Sequence, residues 1–462
     1  MRYYPKKALL ILLSCICAAT LFAQKPVSYS PFANDSLQLL NINNAIKQHY
    51  LKDSASAGGE NKKYIVNLYR ERYQYLDDMF KEKEFMANAE PDEYLSLLVN
   101  EIFKSNPELK TLGTRFLFSK VYWPNAFSTG EGTIVFNIGL FSKLDNESQV
   151  IFVLCHELAH LYLDHSNKAI HQYVNTVYSS NFQDELKDIK RSKYEKNKQL
   201  EKLVKGITFK SRRHGREHES EADSVGLVFM QRTTFNVRGS LTCLALLDSI
   251  DKEKYVPEAD LQRMFNFSEY PFQKNWLRKE EAFFGGVTDK KLNDKEEDSL
   301  KTHPDCKVRI IRLTPTIEKL NIGAGEDFVV SEARFRNLKQ KFKYEIIDFC
   351  FRSDRVSRSL YYTMELLNEE PDNAYLVSMI GKCFASFYEN QKEHTLNHVV
   401  DLPSPYLDKN YNSLLEFLQN IRISDMAAIG HYFLQSYESK LSSNGDFMKT
   451  LAKCNDIFKK SK

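Results

Sequence analysis

An unbroken apolar run, Val150-Ile151-Phe152-Val153-Leu154-Cys155, leads directly into His156-Glu157-Leu158-Ala159-His160. The run demands burial, and the H-E-x-x-H quintet puts three polar side chains into the same buried segment. A polar group taken out of water without a partner costs roughly 2–7 kcal/mol, so the fold has to bring partners to this helix. On a helix, positions four apart share a face, and both imidazoles can then hold one metal ion. Glu157 lies one step round, where it can act as a general base toward water at that ion. Glu147, Ser148 and Gln149 open the helix with acidic and polar residues. The competing reading is a helix whose two histidines are satisfied by neighbouring side chains alone.

A catalytic zinc ion takes three protein ligands and keeps one position open. The segment His218-Glu219-Ser220-Glu221-Ala222-Asp223 reads as the start of a second helix that continues through Leu227, Val228, Phe229 and Met230. Glu219 and Asp223 share a face, so one carboxylate can bind the metal while the other holds the free ring nitrogen of a ligand histidine. A solvated acidic helix start is the alternative, since Asp and Glu favour the first turn.

Four segments in order carry a resemblance. They are Asn125-Ala126-Phe127 with Gly132 through Leu140, His156 through His160 with His165, Glu219-Ser220-Glu221-Ala222-Asp223 with Gly226, and Thr302-His303-Pro304 with Arg309-Ile310. Together they resemble the HtpX-like and CAAX prenyl-protein endopeptidase family of zinc metallopeptidases, in the gluzincin group, and point to a soluble secreted branch of it. The resemblance spans about residues 110–315. It implies one Zn2+ per chain, with Glu219 as the third ligand beside His156 and His160. It further implies Asp223 and Arg309 behind the ligands, and His303 near the active site. Glu221 is a rival ligand, but it lies off the Glu219–Asp223 face. Two departures stand out. Cys155 sits where the family places a small or apolar residue, and a long charged insert from about Ser166 to Arg216 makes a lid-like region.

Arg2, Lys6 and Lys7 followed by the apolar stretch Ala8–Phe22 read as a signal peptide, with cleavage after Ala23. Export through the Sec route then implies a periplasmic protein, or one that is outer-membrane-associated or extracellular. No later stretch reaches the ~20 apolar residues of a membrane helix. Removing the three basic signal residues leaves 61 Lys and Arg against 61 Asp and Glu. Such a balance offers nothing to nucleic acid or to an anionic membrane surface. The six cysteines beyond the signal are scattered, which predicts no essential disulfide framework.

The chain divides into a signal at 1–23, a metallopeptidase domain at 24–325 and a helical interaction domain at 326–462. Residues 35–106 read as helices broken at Gly58-Gly59. Arg115–Tyr122 and Thr133–Asn137 read as strands. Near the C-terminus, two amphipathic helices flank Pro371-Asp372-Asn373-Ala374-Tyr375, in the manner of one degenerate tetratricopeptide unit. The fold class expected is therefore α+β and mostly helical: a zincin-like domain with a small edge-exposed sheet, plus C-terminal helices.

The chemistry expected is hydrolysis of protein or peptide substrates. Glu157 moves the proton, and His303 hydrogen-bonds the developing oxyanion. Thr133, Ile134, Val135 and Phe136 are expected to form a sheet edge that pairs with an extended substrate. The C-terminal helices would dock an envelope partner, and a chain ending near Gly325 would keep its zinc and cleave short peptides. Protein quality control fits such a broad specificity. A chaperone-like scaffold with latent proteolysis is the alternative.

Overall fold

The computed structural model describes residues 29–191, 215–250, 252–277, 305–320, 325–404 and 406–462. The expected signal segment lies outside them. Three helices come first: α1 (Ser36–Ser56), α2 (Lys62–Lys81) and α3 (Ala89–Ser105). Asp35 and Asn88 cap α1 and α3 by accepting first-turn amide hydrogens. Gly59, at a φ of 85°, turns the chain between α1 and α2.

A three-stranded sheet follows, built from β1 (Arg115–Ser119), β2 (Ala126–Ser128) and β3 (Thr133–Asn137), in the order β1-β3-β2. β3 pairs with β1 in parallel, Leu117 opposite Val135, and with β2 antiparallel, Phe127 opposite Val135. All five β3 residues are buried. Ile134 and Phe136 face the main core with Phe118, while Val135 and Leu117 face a smaller cluster with Ile46, Leu76 and Met79. This overturns the expectation that Thr133, Ile134, Val135 and Phe136 form a free edge. β3 is central, its main chain is paired on both sides, and no substrate strand can add there. The outer side of β1 is also covered, by Met86 N donating to Phe118 O at 2.9 Å and Lys120 N to Glu84 O at 2.7 Å. The edge strand is β2, too short for alternation to reveal it, and it lies against the helix that carries the histidines.

That helix is α5 (Glu147–Tyr162), reached through the short α4 (Ile138–Lys143). Every α5 residue from Glu147 to Ala159 is buried. Around it stand α6 (His165–Val177), α7 (Ser180–Arg191), α8 (215–231), α9 (Gly239–Leu247), α10 (Pro257–Met264) and α11 (Cys306–Lys319). The first part of the charged insert is thus helical. α6 packs on α2 through Val174, Ile65 and Tyr69 instead of lying over the site as a lid.

The C-terminal helices are α12 (Glu332–Arg352), α13 (Val356–Glu369), α14 (Ala374–Lys392), α15 (Lys409–Asn420), α16 (Ile423–Leu441) and α17 (Gly445–Ser461). Asn373 caps α14 at the Pro371–Tyr375 turn that the sequence suggested, accepting from Tyr375 N and Leu376 N. A second hairpin, α16 and α17, packs behind α14. Gly381 allows the close crossing, since a Cβ there would meet Leu434 at 2.6 Å. Among the described residues, no helix is long and apolar enough to cross a membrane. The fold is α+β and mostly helical.

α12 belongs to two cores at once. Phe335, Leu338, Phe342 and Ile346 join the core around α5, whereas Tyr344 and Ile347 join the core of the later helices. The approach to α12 is held by Glu147, whose carboxylate is fully buried. It accepts from the amides of Val329 (2.7 Å), Val330 (2.8 Å) and Ser331 (2.8 Å), and from the Tyr94 hydroxyl (2.6 Å). Glu147→Ala leaves four donors without an acceptor, at roughly 1–3 kcal/mol each. We expect it to lower unfolding free energy by at least about 3 kcal/mol in denaturant titration. A chain ending at Gly325 loses these donors and the α12 side chains together. Against the sequence-based expectation, it should fail to fold as a zinc-binding unit, which size-exclusion chromatography and circular dichroism would reveal.

Candidate active site

The site assembles where α5, α8 and α11 meet. α8 comes so close to α5 that a Cβ on Gly226 would stand 3.0 Å from His156 N and 3.1 Å from the Cys155 carbonyl oxygen. Only glycine permits that approach without displacing backbone. It sets Glu219, two turns earlier on α8, opposite the histidine face of α5. The Cys155 thiol is buried in the main core, and burial pushes its pKa up.

Three candidate ligand atoms converge. His156 Nε2 and His160 Nε2 are 3.0 Å apart, and the Glu219 carboxylate lies 3.4 Å from the first and 3.3 Å from the second. With metal–ligand bonds of about 2.0–2.1 Å, adjacent corners of a tetrahedral zinc site are about 3.3 Å apart. The two imidazoles and one carboxylate therefore fit three corners around a four-coordinate divalent ion. This is the one such group of histidine, cysteine and carboxylate side chains found among the described residues. Glu221, the rival ligand, points instead to His165 Nε2 at 3.0 Å.

The electrostatics favour a cation. Burial by itself lowers the His156 pKa, but Asp223 and Glu219 outweigh it and hold it up at about 10. Burial favours the neutral form of Glu219, yet His156, His160 and Arg309 keep the carboxyl well below its usual range. Asp223 sits behind His156, its Oδ1 3.0 Å from Nδ1. Arg309 holds Asp223 with both ends of its guanidinium, Nε to Oδ2 at 2.7 Å and Nη2 to Oδ1 at 2.6 Å, and reaches Glu219 at 3.3 Å. Arg309 reaches the pair from the first turn of α11, after Asp305 turns the chain at a φ of 60°. The buried guanidinium thus steadies two carboxylates that would otherwise repel.

On the other side, His160 Nδ1 lies 2.9 Å from His165 Nδ1. Burial pushes the His165 pKa down to about 4 despite the Glu221 contact. Glu157 is buried on the same turn as His156. The structure therefore brings together His156, Glu157, His160, Glu219, Asp223 and Arg309. Thr133, Ile134, Val135 and Phe136 are core residues, and His303 lies outside the described residues. The sequence did not reveal that Glu147 would be a buried clamp; as a first-turn acid it looked like an ordinary helix start.

Asp223 yields a test. Asp223→Asn should weaken zinc binding by roughly 10–100-fold in chelator competition. It should also destabilise the apo-protein, because Arg309 loses its charged partner inside the core. Burial favours the neutral carboxyl, but Arg309 and His156 hold the Asp223 pKa below its usual value. The pair's contribution is therefore complete above about pH 4–5 and is lost as pH falls further. The stability gap between wild type and Asp223→Asn should narrow on acidification, measured by urea unfolding with a chelator present.

A search of the curated proteins finds no match. The sequence profile described as Peptidase family M48 matches residues 91–317. That span runs from α3 to α11 and encloses every residue that converges at the site. Residues 91–317 are therefore similar to a peptidase family M48 domain, which supports a protease.

Proposed function

We propose that the protein is a zinc-dependent endopeptidase of the HtpX-like, secreted kind. The observation that carries this is the convergence of His156, His160 and Glu219, with Glu157 one residue along from the first ligand. When bound, zinc supplies Lewis acidity toward a carbonyl oxygen and toward water. His156 and His160 present their Nε2 atoms, and Glu219 adds a negative charge. Glu157 takes the proton of the attacking water and returns it to the departing amine. Asp223 and Arg309 keep His156 and Glu219 aimed. The T-H-P motif supports His303 as a hydrogen-bond donor to the developing oxyanion.

For substrate, the edge strand β2 replaces β3 in this proposal. β2 occupies the open side of the sheet and lies against α5. An extended peptide pairing with the main chain of Ala126–Ser128 would lie along the histidine helix. Such pairing reads backbone more than side chains. It favours unfolded or extended proteins, and so supports a role in quality control. Arg2, Lys6, Lys7 and the apolar stretch after them support export, with the periplasm as the working compartment. The C-terminal helices offer a surface for an envelope partner, and α12 ties that region to the peptidase core.

Glu157→Gln separates binding from chemistry. The variant should keep about one zinc per chain and an unchanged far-ultraviolet spectrum, since three other residues hold the metal. Its cleavage of casein should fall by at least about 100-fold, and a chelator should abolish wild-type cleavage. Substantial turnover by Glu157→Gln would rule out this general base. Chelator-insensitive turnover would rule out metal-dependent hydrolysis.

A further inference from the structure

The two ligand histidines are supported differently. His156 is backed by a carboxylate that is itself locked by Arg309. His160 is backed by another imidazole, His165, through an Nδ1–Nδ1 contact of 2.9 Å. His165 is almost fully buried, and its second nitrogen lies 3.0 Å from Glu221 Oε2. One face of its ring stacks on His218, with centroids 4.2 Å apart and planes 10° from parallel.

Helical geometry does not explain this contact. Five residues on from His160, a continuous helix would carry the next side chain about 140° round the axis, away from the His160 face. Instead, α5 ends at Tyr162, and Asp164 adopts a left-handed conformation, φ 56° and ψ 38°. Asp164 is stabilised there by accepting from Asn167 Nδ2 at 2.7 Å. The reversal starts α6 at His165 and returns its ring to the outer nitrogen of His160. Aspartate is one of the few side chains that visits this backbone region without glycine.

We propose that His165 is a positioning residue for the metal site, which sets the tautomer and ring angle of His160 and is itself oriented by Glu221. This rests on the zinc reading above. A neutral imidazole that binds metal through Nε2 carries its proton on Nδ1. The His160 Nδ1–H then donates to His165 Nδ1, which has to be the unprotonated nitrogen. The His165 proton therefore sits on Nε2 and donates to Glu221. Each link fixes the next, and no other proton arrangement of two neutral rings satisfies both contacts with His160 Nε2 left free for metal. Glu221, which is off the ligand face, gains a purpose that the motif alone did not show.

The test compares His165→Leu and His165→Asn in the full-length protein. Leucine fills similar volume but cannot accept a proton. Asparagine is smaller, but it places an oxygen where Nδ1 stood. Zinc affinity is read by chelator competition and ligand geometry by the visible spectrum of the cobalt-substituted protein, with circular dichroism as the folding check. Positioning predicts that His165→Leu weakens zinc binding by roughly 10–100-fold and shifts the cobalt bands, and that His165→Asn regains most of both. A packing role predicts the opposite order, and that order would overturn the proposal. Should the leucine variant fail to fold, His165→Val against His165→Asn gives the same comparison, a larger apolar side chain set against a smaller polar acceptor. Zinc binding as tight in His165→Leu as in wild type overturns the positioning role while leaving the peptidase reading intact. A wild-type protein that binds no zinc overturns both.

Discussion

The contact between α8 and α5 at Gly226 governs the site. Glu219 and Asp223 are useful only if α8 lies against the backbone of Cys155 and His156, and a single Cβ at position 226 would stand 3.0 Å from His156 N. Gly239 repeats the device farther along α5, where a Cβ would meet Ser148 at 2.6 Å. α5 is thus gripped by close backbone contact at two points. Interiors packed this densely do not deform gradually, so the distances among ligand atoms are inherited from backbone packing as well as from side-chain choice.

Behind the candidate ligands, the chain uses two unlike supports. Asp223 and Arg309 form a buried, doubly hydrogen-bonded pair that brings strong charge to His156. His165 and Glu221 bring hydrogen-bond direction to His160, ending at a solvent-exposed carboxylate. Charge at an exposed group is screened by water, whereas charge in the core is screened much less. The two histidines therefore differ in how firmly their outer nitrogens are held, although they belong to one motif.

The peptidase core and the later helices share α12. Its Phe342 meets Phe118 and Phe141 at ring-centroid distances of 5.1 and 5.2 Å, while Tyr344, two residues on, stacks with Tyr29 at 4.8 Å. The same helix carries Glu345, which receives the Tyr29 hydroxyl at 2.6 Å. Chain segments more than 300 residues apart thus close on one helix.

Local periodicity was enough to find α5, the helix start at Glu219–Asp223 and the Pro371–Tyr375 turn, because each is encoded within a few residues. The His156–Glu157–His160 spacing specified a shared helical face, and Glu219 and Asp223 specified another. Which faces met was decided by tertiary contact: Gly226 brought α8 to α5, and Arg309 came in from α11. The order of strands was equally hidden. Five buried residues at Thr133–Asn137 read as a strand, but only pairing with β1 and β2 made it central and left β2 at the edge. The reach of Glu147 to Val329–Ser331 and of His165 back to His160 was invisible for the same reason. A carboxylate looks the same in sequence whether it faces water or four donors, and a left-handed Asp164 redirects a helix without leaving a periodic trace.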